Sequence, residues 1–367
     1  MPARRSPTLI VTLLTIVTLT VAANAAAQGG DSQGDQLMRT AQALFAPLPD
    51  LAENAANPVT DAKVELGKML YYEPRLSLSG VFSCNSCHNI ATYGVDNLET
   101  ATGHGWAQGP RNSPTVMNAA LQASQFWDGR AKDVEEQAGG PILNPIEMGI
   151  PSQEFAIERL SSIPQYAELF AMAFPDEAEP LVYANVANAI GAFERTLVTP
   201  ARFDTYLGGD QSALSDLEKT GLQTFISYGC AGCHSGATVG GNSLQRFGVV
   251  ESYWEATREF VTIDTPTMGM DVGRFAVTHE TQDLYIFKVP TLRNITRTYP
   301  YFHDGSVWDL RDATQIMARV QLGRELTEED LDALMAFYDT LEGEIPAYAL
   351  QLPVLPASTT GTPKPQH

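Results

Sequence analysis

Two pentapeptides of the chain share the pattern Cys-x-x-Cys-His: Cys84-Asn85-Ser86-Cys87-His88 and Cys230-Ala231-Gly232-Cys233-His234. They use all 4 cysteines of the protein, so no thiol remains for a disulfide or a separate metal site. The pattern is the attachment signature of c-type haem, in which two thiols bond to the haem and the adjacent histidine binds the iron. A redox dithiol or a zinc site is the alternative, but neither needs a histidine after each pair. The sequence therefore predicts two covalently attached haem c groups, with His88 and His234 as proximal ligands.

Residues 1–27 have the features of an export signal. Two arginines near the start precede an apolar run from Leu9 to Ala23, and small residues follow as far as Ala27. A basic start, a short apolar stretch and an Ala-x-Ala site are typical of a cleaved secretory signal. An uncleaved anchor is the alternative, but a spanning helix needs about 20 apolar residues. Because c-type haem is attached outside the cytoplasm, we expect the mature protein in a bacterial periplasm.

The chain is strongly acidic, with a formal net charge of -20 at pH 7. Such a charge argues against nucleic acid and anionic membranes as partners, and it favours a partner with a basic docking face. Solubility alone could also account for the acidity, and both explanations can hold together.

The apolar periodicity predicts a helical chain. The predicted helices span residues 61–71, 153–162, 183–198, 215–228, 310–320 and 327–341. Ser215 with Glu218, and Thr327 with Asp330, have the spacing of capping boxes at two of the helix starts. Strand signals are few, and the long stretches 89–124 and 235–283 are loops of a length suited to wrapping a large planar cofactor. The predicted fold class is all-α, with two c-type cytochrome-like domains that each carry one covalently attached haem.

Three segments follow the predicted signal. The N-terminal haem domain spans 28–199 and the C-terminal haem domain spans 200–344, with the boundary at Thr199-Pro200 where a long predicted helix ends. Residues 345–367 form a C-terminal extension. Its last part, from residue 352, contains four prolines and few apolar side chains, so we expect it to be disordered.

Each iron could take a second axial ligand from the chain. His104 lies in a glycine-flanked loop that follows the first motif, and His303 could contact the second haem. Methionine is the other common partner of histidine on haem iron. Met268, Met270 and Met317 are candidates for the second iron, and Met317 could equally be a core residue of its helix. From the residues alone this choice stays open.

Eight segments match a known pattern: Cys84–His88, Val95-Asp96-Asn97, Gly103–Trp106, Gly109–Thr115, Gln125–Arg130, Cys230–His234, Leu292-Arg293-Asn294 and Pro300–Gly305. In these segments the chain resembles the bacterial dihaem cytochrome c peroxidases, across almost the whole predicted mature length. The resemblance implies an N-terminal haem at which peroxide reacts and a C-terminal haem that receives electrons. It also implies His88 with a displaceable His104 on the first iron, and His234 with Met317 on the second.

The resemblance implies further site residues. Glu147 would be the acid–base group beside the first haem, with Gln137 next to it, since peroxide reduction needs a proton to move between the two oxygens. Without the resemblance, a surface carboxylate would be the simpler interpretation of Glu147. Trp127 would lie between the haems as an electron route, although a buried tryptophan is also an ordinary core residue.

A calcium ion between the domains is also implied. Asn112 would supply its side-chain oxygen, and Thr298 and Pro300 would supply backbone carbonyls, an all-oxygen set that suits this cation. This site depends on the resemblance alone.

The implied activity is the reduction of hydrogen peroxide to water with electrons from a small periplasmic cytochrome c or cupredoxin. The family also suggests a homodimer. Two alternatives are a dihaem electron-transfer cytochrome without peroxidase turnover, and the related dihaem oxidase of methylamine utilisation. A tyrosine in place of Met317 is the signature of that oxidase, so the methionine argues against it. The stretch between His234 and His303 is longer than is typical of the family.

Overall fold

The computed structural model describes residues 33–260 and 270–366. The predicted signal peptide, the candidate ligand Met268 and the terminal His367 lie outside these residues. Thirteen helices form within the described ranges: α1 (Gln33–Leu44), α2 (Asp61–Tyr71), α3 (Cys84–Cys87), α4 (Val134–Leu143), α5 (Gln153–Ser161), α6 (Pro164–Ala173), α7 (Tyr183–Glu194), α8 (Arg202–Leu207), α9 (Asp216–Ser227), α10 (Tyr253–Ala256), α11 (Phe275–Thr278), α12 (Leu310–Leu322) and α13 (Glu328–Asp339).

The six helices predicted from periodicity are all present. Ser215 and Thr327 cap α9 and α13 through the predicted capping boxes. Helix α7 ends at Glu194, earlier than predicted, whereas α12 continues to Leu322. It stops there because Gly323 adopts a left-handed conformation, with φ of 62°, in which its backbone N–H bonds back to the last turn.

The described strands are few and short. β1 (Leu244–Arg246) and β2 (Ile286–Lys288) form one antiparallel ribbon in which Leu244 lies opposite Lys288. The prediction of a mainly helical chain is confirmed. Within the ranges that the structure covers, no helix has both the length and the apolar character that crossing a membrane requires.

Apolar side chains are buried in two main clusters. The first cluster is formed by α2 and α4–α7, and the second cluster by α1, α8, α9 and α13. A smaller third group lies under α12. In each main cluster two helices cross so closely that a glycine is needed at the contact. A Cβ on Gly67 would lie 1.8 Å from the Ala189 carbonyl oxygen, and a Cβ on Gly221 would lie 1.9 Å from that of Ala333.

Each end of the chain packs in the cluster that the opposite half of the chain mainly forms. Helix α1 lies in the second cluster, where Phe45 just beyond its end packs edge-on against Phe203 with ring centroids 5.4 Å apart. Conversely, Ile345 and Ala349 pack in the first cluster. Residues 33–45, which the sequence assigned to the N-terminal domain, therefore pack with the C-terminal half of the chain.

The C-terminal extension also differs from the prediction of disorder. The backbone N–H of Gln366 donates to the Leu78 carbonyl at 2.9 Å, and Arg159 donates to the carbonyl of Lys364 at 3.2 Å. Arg159 is only 1 % exposed, so its guanidinium needs acceptors from nearby backbone. The C-terminal extension supplies one of these acceptors, and this contact helps to order the extension.

The two halves of the chain repeat a loop of the same shape. Residues 125–131 and 301–307 are each closed by an antiparallel bridge between their first and last residues. Phe126 and Phe302 take matching positive φ values of 64° and 71°. In this repeat, Trp127 of the first half corresponds to His303 of the second. An aspartate then caps the helix that follows each loop, Asp133 on α4 and Asp309 on α12.

Candidate functional site

The first motif forms the short helix α3 and the residue that ends it. Nδ1 of His88 lies 2.9 Å from the carbonyl oxygen of Pro114, which fixes the ring and leaves Nε2 available for a metal. Burial lowers the pKa of His88, so the imidazole stays neutral, which is the form that binds iron. All four motif cysteines are free of disulfides, as covalent attachment of haem requires.

The second motif opens into a large cavity, here called the central cavity. It is lined by Cys230, Cys233, His234, Met317, Trp127 and His303, together with other residues. Burial lowers the pKa of His234 to about 4. Its Nδ1 makes no hydrogen bond to any described residue, and the backbone of Val239 and Pro290 only partly offsets the effect of burial on its pKa. The structure therefore brings His234 and Met317 to one cavity, whereas Met270 is 60 % exposed elsewhere.

Lys288 provides a test of whether the central cavity suits haem. This lysine lines the cavity and is 7 % exposed, and its Nζ donates to the neutral side-chain oxygen of Gln122. Burial lowers its pKa to about 8. Haem carries two carboxylates, and a buried ammonium that is hydrogen-bonded to a neutral amide favours a carboxylate beside it. Two thiols, an imidazole, a thioether and this cation fit the group that the motif predicts.

His104 and Glu147 lie on two loops that pack together. The backbone N–H of His104 donates to the Glu147 carbonyl at 2.7 Å, and a Cβ on Gly149 would lie 2.7 Å from the His104 ring. Only glycine leaves room for the imidazole at this contact. Nδ1 of His104 is buried without a hydrogen-bond partner in the described part of the chain. Gly105, with φ of 65°, has no atom near the position of a Cβ, so the loop tip is open.

The Glu147 carboxylate faces the first motif. Burial raises the pKa of Cys84 and of Cys87, and the Glu147 charge acts in the same direction on both. Burial also raises the pKa of Glu147 itself, with Arg130 acting in the opposite direction. Asn144 donates to its Oε1 at 2.6 Å and holds the side chain in place. Gln137 is half-buried on α4, whose last residues bond with the loop that carries Glu147.

Trp127 is fixed by its indole N–H, which donates to the Asn112 carbonyl at 2.9 Å. Asn112, Thr298 and Pro300 all line the central cavity. The Asn112 amide nitrogen donates to the Leu98 carbonyl at 2.9 Å, so its side-chain oxygen points elsewhere and is available. Among the described residues, no group of three or more His, Cys, Asp or Glu side chains could hold a metal ion.

Sequence reasoning missed a partly buried ion network beside Trp127. Arg111 pairs with Asp128 at 2.7 Å and with Asp271 at 2.6 Å, and Arg130 also pairs with Asp128 at 2.8 Å. No local signal could have joined Arg111 to Asp271, because 160 positions separate them in the sequence. The network fixes the loop that carries Trp127.

Comparisons with known proteins agree with this geometry. The family described as di-haem cytochrome c peroxidase matches residues 61–212. The cytochrome c551 peroxidase of Pseudomonas aeruginosa is 46 % identical over 91 % of this chain and 94 % of its own length. The chain belongs to the di-haem cytochrome c peroxidase family. The cytochrome c551 peroxidase of Nitrosomonas europaea is 44 % identical, over 88 % of this chain and 94 % of its own.

A solved structure shares the fold. A MauG-like protein associated with microbial copper homeostasis superposes with a TM-score of 0.70 at 27 % identity, over 83 % of this chain and 97 % of its own. Membership of the peroxidase family makes this chain an enzyme, a haem-dependent cytochrome c peroxidase with two haem groups. The alternative of an electron-transfer cytochrome without turnover does not agree with the two peroxidases of high identity.

Proposed function

We propose that this peroxidase acts in the periplasm, reduces hydrogen peroxide at the first motif and receives electrons at the second. One observation carries the assignment. In the repeated loops and helices, Met317 of α12 corresponds to Pro141 of α4, since each follows its capping aspartate by the same number of residues. The helix that offers a thioether in the second half therefore offers no ligand in the first half.

The residues support covalent attachment of one haem c to each motif, through Cys84 and Cys87 in the first and Cys230 and Cys233 in the second. His234 and Met317 would hold the second iron, since both side chains line the central cavity. His88 would hold the first, with His104 as a displaceable partner. When bound, the haem irons supply the two electrons that convert hydrogen peroxide and two protons to two waters.

The chain's own part in the reaction is to move a proton and to shelter the site. Glu147 takes a proton from the peroxide oxygen that binds and returns it to the oxygen that leaves as water. Burial raises the pKa of Glu147, which makes its carboxylate a stronger proton acceptor than an exposed carboxylate. Gln137 on α4 completes the polar side of this pocket.

Trp127 fills the space between the two halves, and its indole offers a polarisable path for electrons. A calcium ion held by the Asn112 side-chain oxygen and the carbonyls of Thr298 and Pro300 would fix the same region. The acidic surface favours a small cytochrome c or cupredoxin with a basic docking face as the donor. A homodimer is the expected assembly, which light scattering of the haem-loaded protein would test.

One experiment tests the proposed function as a whole. Oxidation of a reduced small cytochrome c by hydrogen peroxide would be followed with the purified haem-loaded protein, either fully oxidised or half-reduced. We expect turnover by the half-reduced form. Absence of turnover in both forms, with both haems present, would contradict the assignment.

A further inference from the structure

Thr199 lies fully buried between the first and second clusters, and its hydroxyl oxygen accepts two hydrogen bonds. The amide nitrogen of Asn118 donates to it at 2.8 Å, and that of Asn294 donates to it at 2.9 Å. Thr199 and Asn294 are 0 % exposed and Asn118 is 1 % exposed, so water cannot replace either bond. The backbone N–H of Thr199 also donates to the Asn118 side-chain oxygen at 3.0 Å. One threonine therefore binds both halves of the chain.

The two asparagines end segments of matching sequence and shape. Pro114-Thr115-Val116-Met117-Asn118 and Pro290-Thr291-Leu292-Arg293-Asn294 share the pattern Pro-Thr-x-x-Asn. Asn118 and Asn294 both take the left-handed conformation, with φ of 59° and 61°. The match extends beyond the asparagines, because each segment also contacts the loop that follows its own Cys-x-x-Cys-His motif.

The threonine of each segment makes that contact. Thr115 donates its hydroxyl to the Tyr93 carbonyl at 2.6 Å, and Thr291 donates to the Thr238 carbonyl at 2.6 Å. The segments are thus fixed at one end to the two motif loops and at the other end to Thr199.

The proline of each segment faces the proximal histidine. The Pro114 carbonyl lies 2.9 Å from Nδ1 of His88. At the second motif, a Cβ on Gly240 would lie 2.1 Å from the Pro290 carbonyl oxygen and 3.2 Å from Nδ1 of His234, so this carbonyl and this ring nitrogen border the same small space. A carbonyl that accepts from Nδ1–H makes the imidazole a stronger donor to a metal at Nε2. The position of each segment therefore controls how strongly its histidine binds iron.

We propose that Thr199 is a positioning residue that sets the proximal ligation of both haems together. The inference rests on the proposed function, since it requires a haem at each motif. Thr199 contacts neither histidine and acts only through the two Pro-Thr-x-x-Asn segments. A substitution at Thr199 should therefore shift the potentials of both haems, whereas a substitution at either asparagine should shift the potential of one.

The test is a redox titration of the haem-loaded protein followed by absorbance, with Thr199→Val as the first variant. Valine keeps the shape but leaves two buried amide N–H groups without an acceptor. Both segments then relax, both proline carbonyls move away from the Nδ1 atoms of the proximal histidines, and both midpoint potentials shift upward, because a weaker imidazole donor favours the ferrous state. Thr199→Ser keeps the hydroxyl and should retain the parent potentials.

Two further variants separate the halves. Asn118→Gly and Asn294→Gly tolerate the positive φ, and each removes two side-chain hydrogen bonds, one of them to the Thr199 hydroxyl. We expect the first to move only the potential of the first haem, and the second to move only that of the second haem. These two variants also test the proposal if Thr199→Val yields no folded protein. An unchanged potential of the first haem in Asn118→Gly, or of the second haem in Asn294→Gly, would overturn it.

Other outcomes would distinguish a structural role of Thr199 from the proposed positioning role. A Thr199→Val protein with a lower melting temperature and unchanged potentials would show that Thr199 is structural only. A shift in one haem alone would overturn the shared role. The haem content of the parent protein is measured first. A parent without two covalently bound haems would refute the proposed function itself, whereas two bound haems with unmoved potentials in Thr199→Val would refute only the role of Thr199.

Discussion

At the scale of single residues, the two motifs differ in what lies near them. His104 and Glu147 lie on packed loops beside the first motif, whereas Met317 shares the central cavity with His234. The cysteine and histidine positions followed from spacing alone, because haem attachment requires adjacent residues. The choice among the methionines did not, because a ligand across the cavity is set by tertiary packing.

Glu147→Gln should retain both haems and their spectra but lose most peroxidase turnover. The amide can still accept from Asn144, yet it cannot shuttle a proton, and such shuttling is usually worth about 10²–10⁴ in rate. Steady-state peroxide reduction measures the loss. Glu168→Gln, an exposed change on α6, is the matched control. Turnover of Glu147→Gln within a few-fold of the parent would remove Glu147 from the mechanism.

Met317→Leu should lower the midpoint potential of the second haem only. Thioether ligation raises the potential of haem iron, so its loss favours the ferric state. Redox titration should show one of two waves moving downward. Met270→Leu, at an exposed position, is the control and should move neither. An unchanged high-potential wave in Met317→Leu would mean that another group binds the second iron.

At the scale of elements, local signals predicted some helices and missed others. Helices α9 and α13 carry capping boxes within one turn, so their starts could be predicted from sequence. Helix α4 was missed because Gly139, Gly140 and Pro141 weaken its helical signal, and tertiary packing stabilises it instead. The packing of α1 in the second cluster has no local sequence signal, because it depends on contacts with residues distant in sequence.

The C-terminal extension is the element whose order the sequence did not predict. Truncation after Gln351 removes the Pro356 and Lys364 carbonyls that accept from Arg75 and Arg159. Loss of acceptors to a buried guanidinium costs about 1–3 kcal/mol, so the melting temperature should fall. Val354→Ala, at a position that is 87 % exposed, is the control and should have no effect. An unchanged melting temperature after truncation would mean that these contacts contribute nothing to stability.

At the scale of the whole molecule, we expect surface charge to govern the encounter with the proposed electron donor. The chain carries a net charge of -20, so a basic donor is attracted over a distance that salt shortens. We expect kcat/KM for a basic small cytochrome c to fall steeply as ionic strength rises, while kcat changes little. Stopped-flow or steady-state assays between low and physiological salt measure this. A rate independent of salt would indicate docking through uncharged contacts.

We propose that peroxide binds at the first motif once His104 leaves the iron there. The most direct test is the electron paramagnetic resonance spectrum of the fully oxidised protein, with and without cyanide, for the parent and for His104→Gly. The parent should be low-spin at both haems and bind no cyanide until it is half-reduced. The variant should show one high-spin haem that binds one equivalent of cyanide without reduction. A variant that stays low-spin at both haems and binds no cyanide would contradict this role of His104.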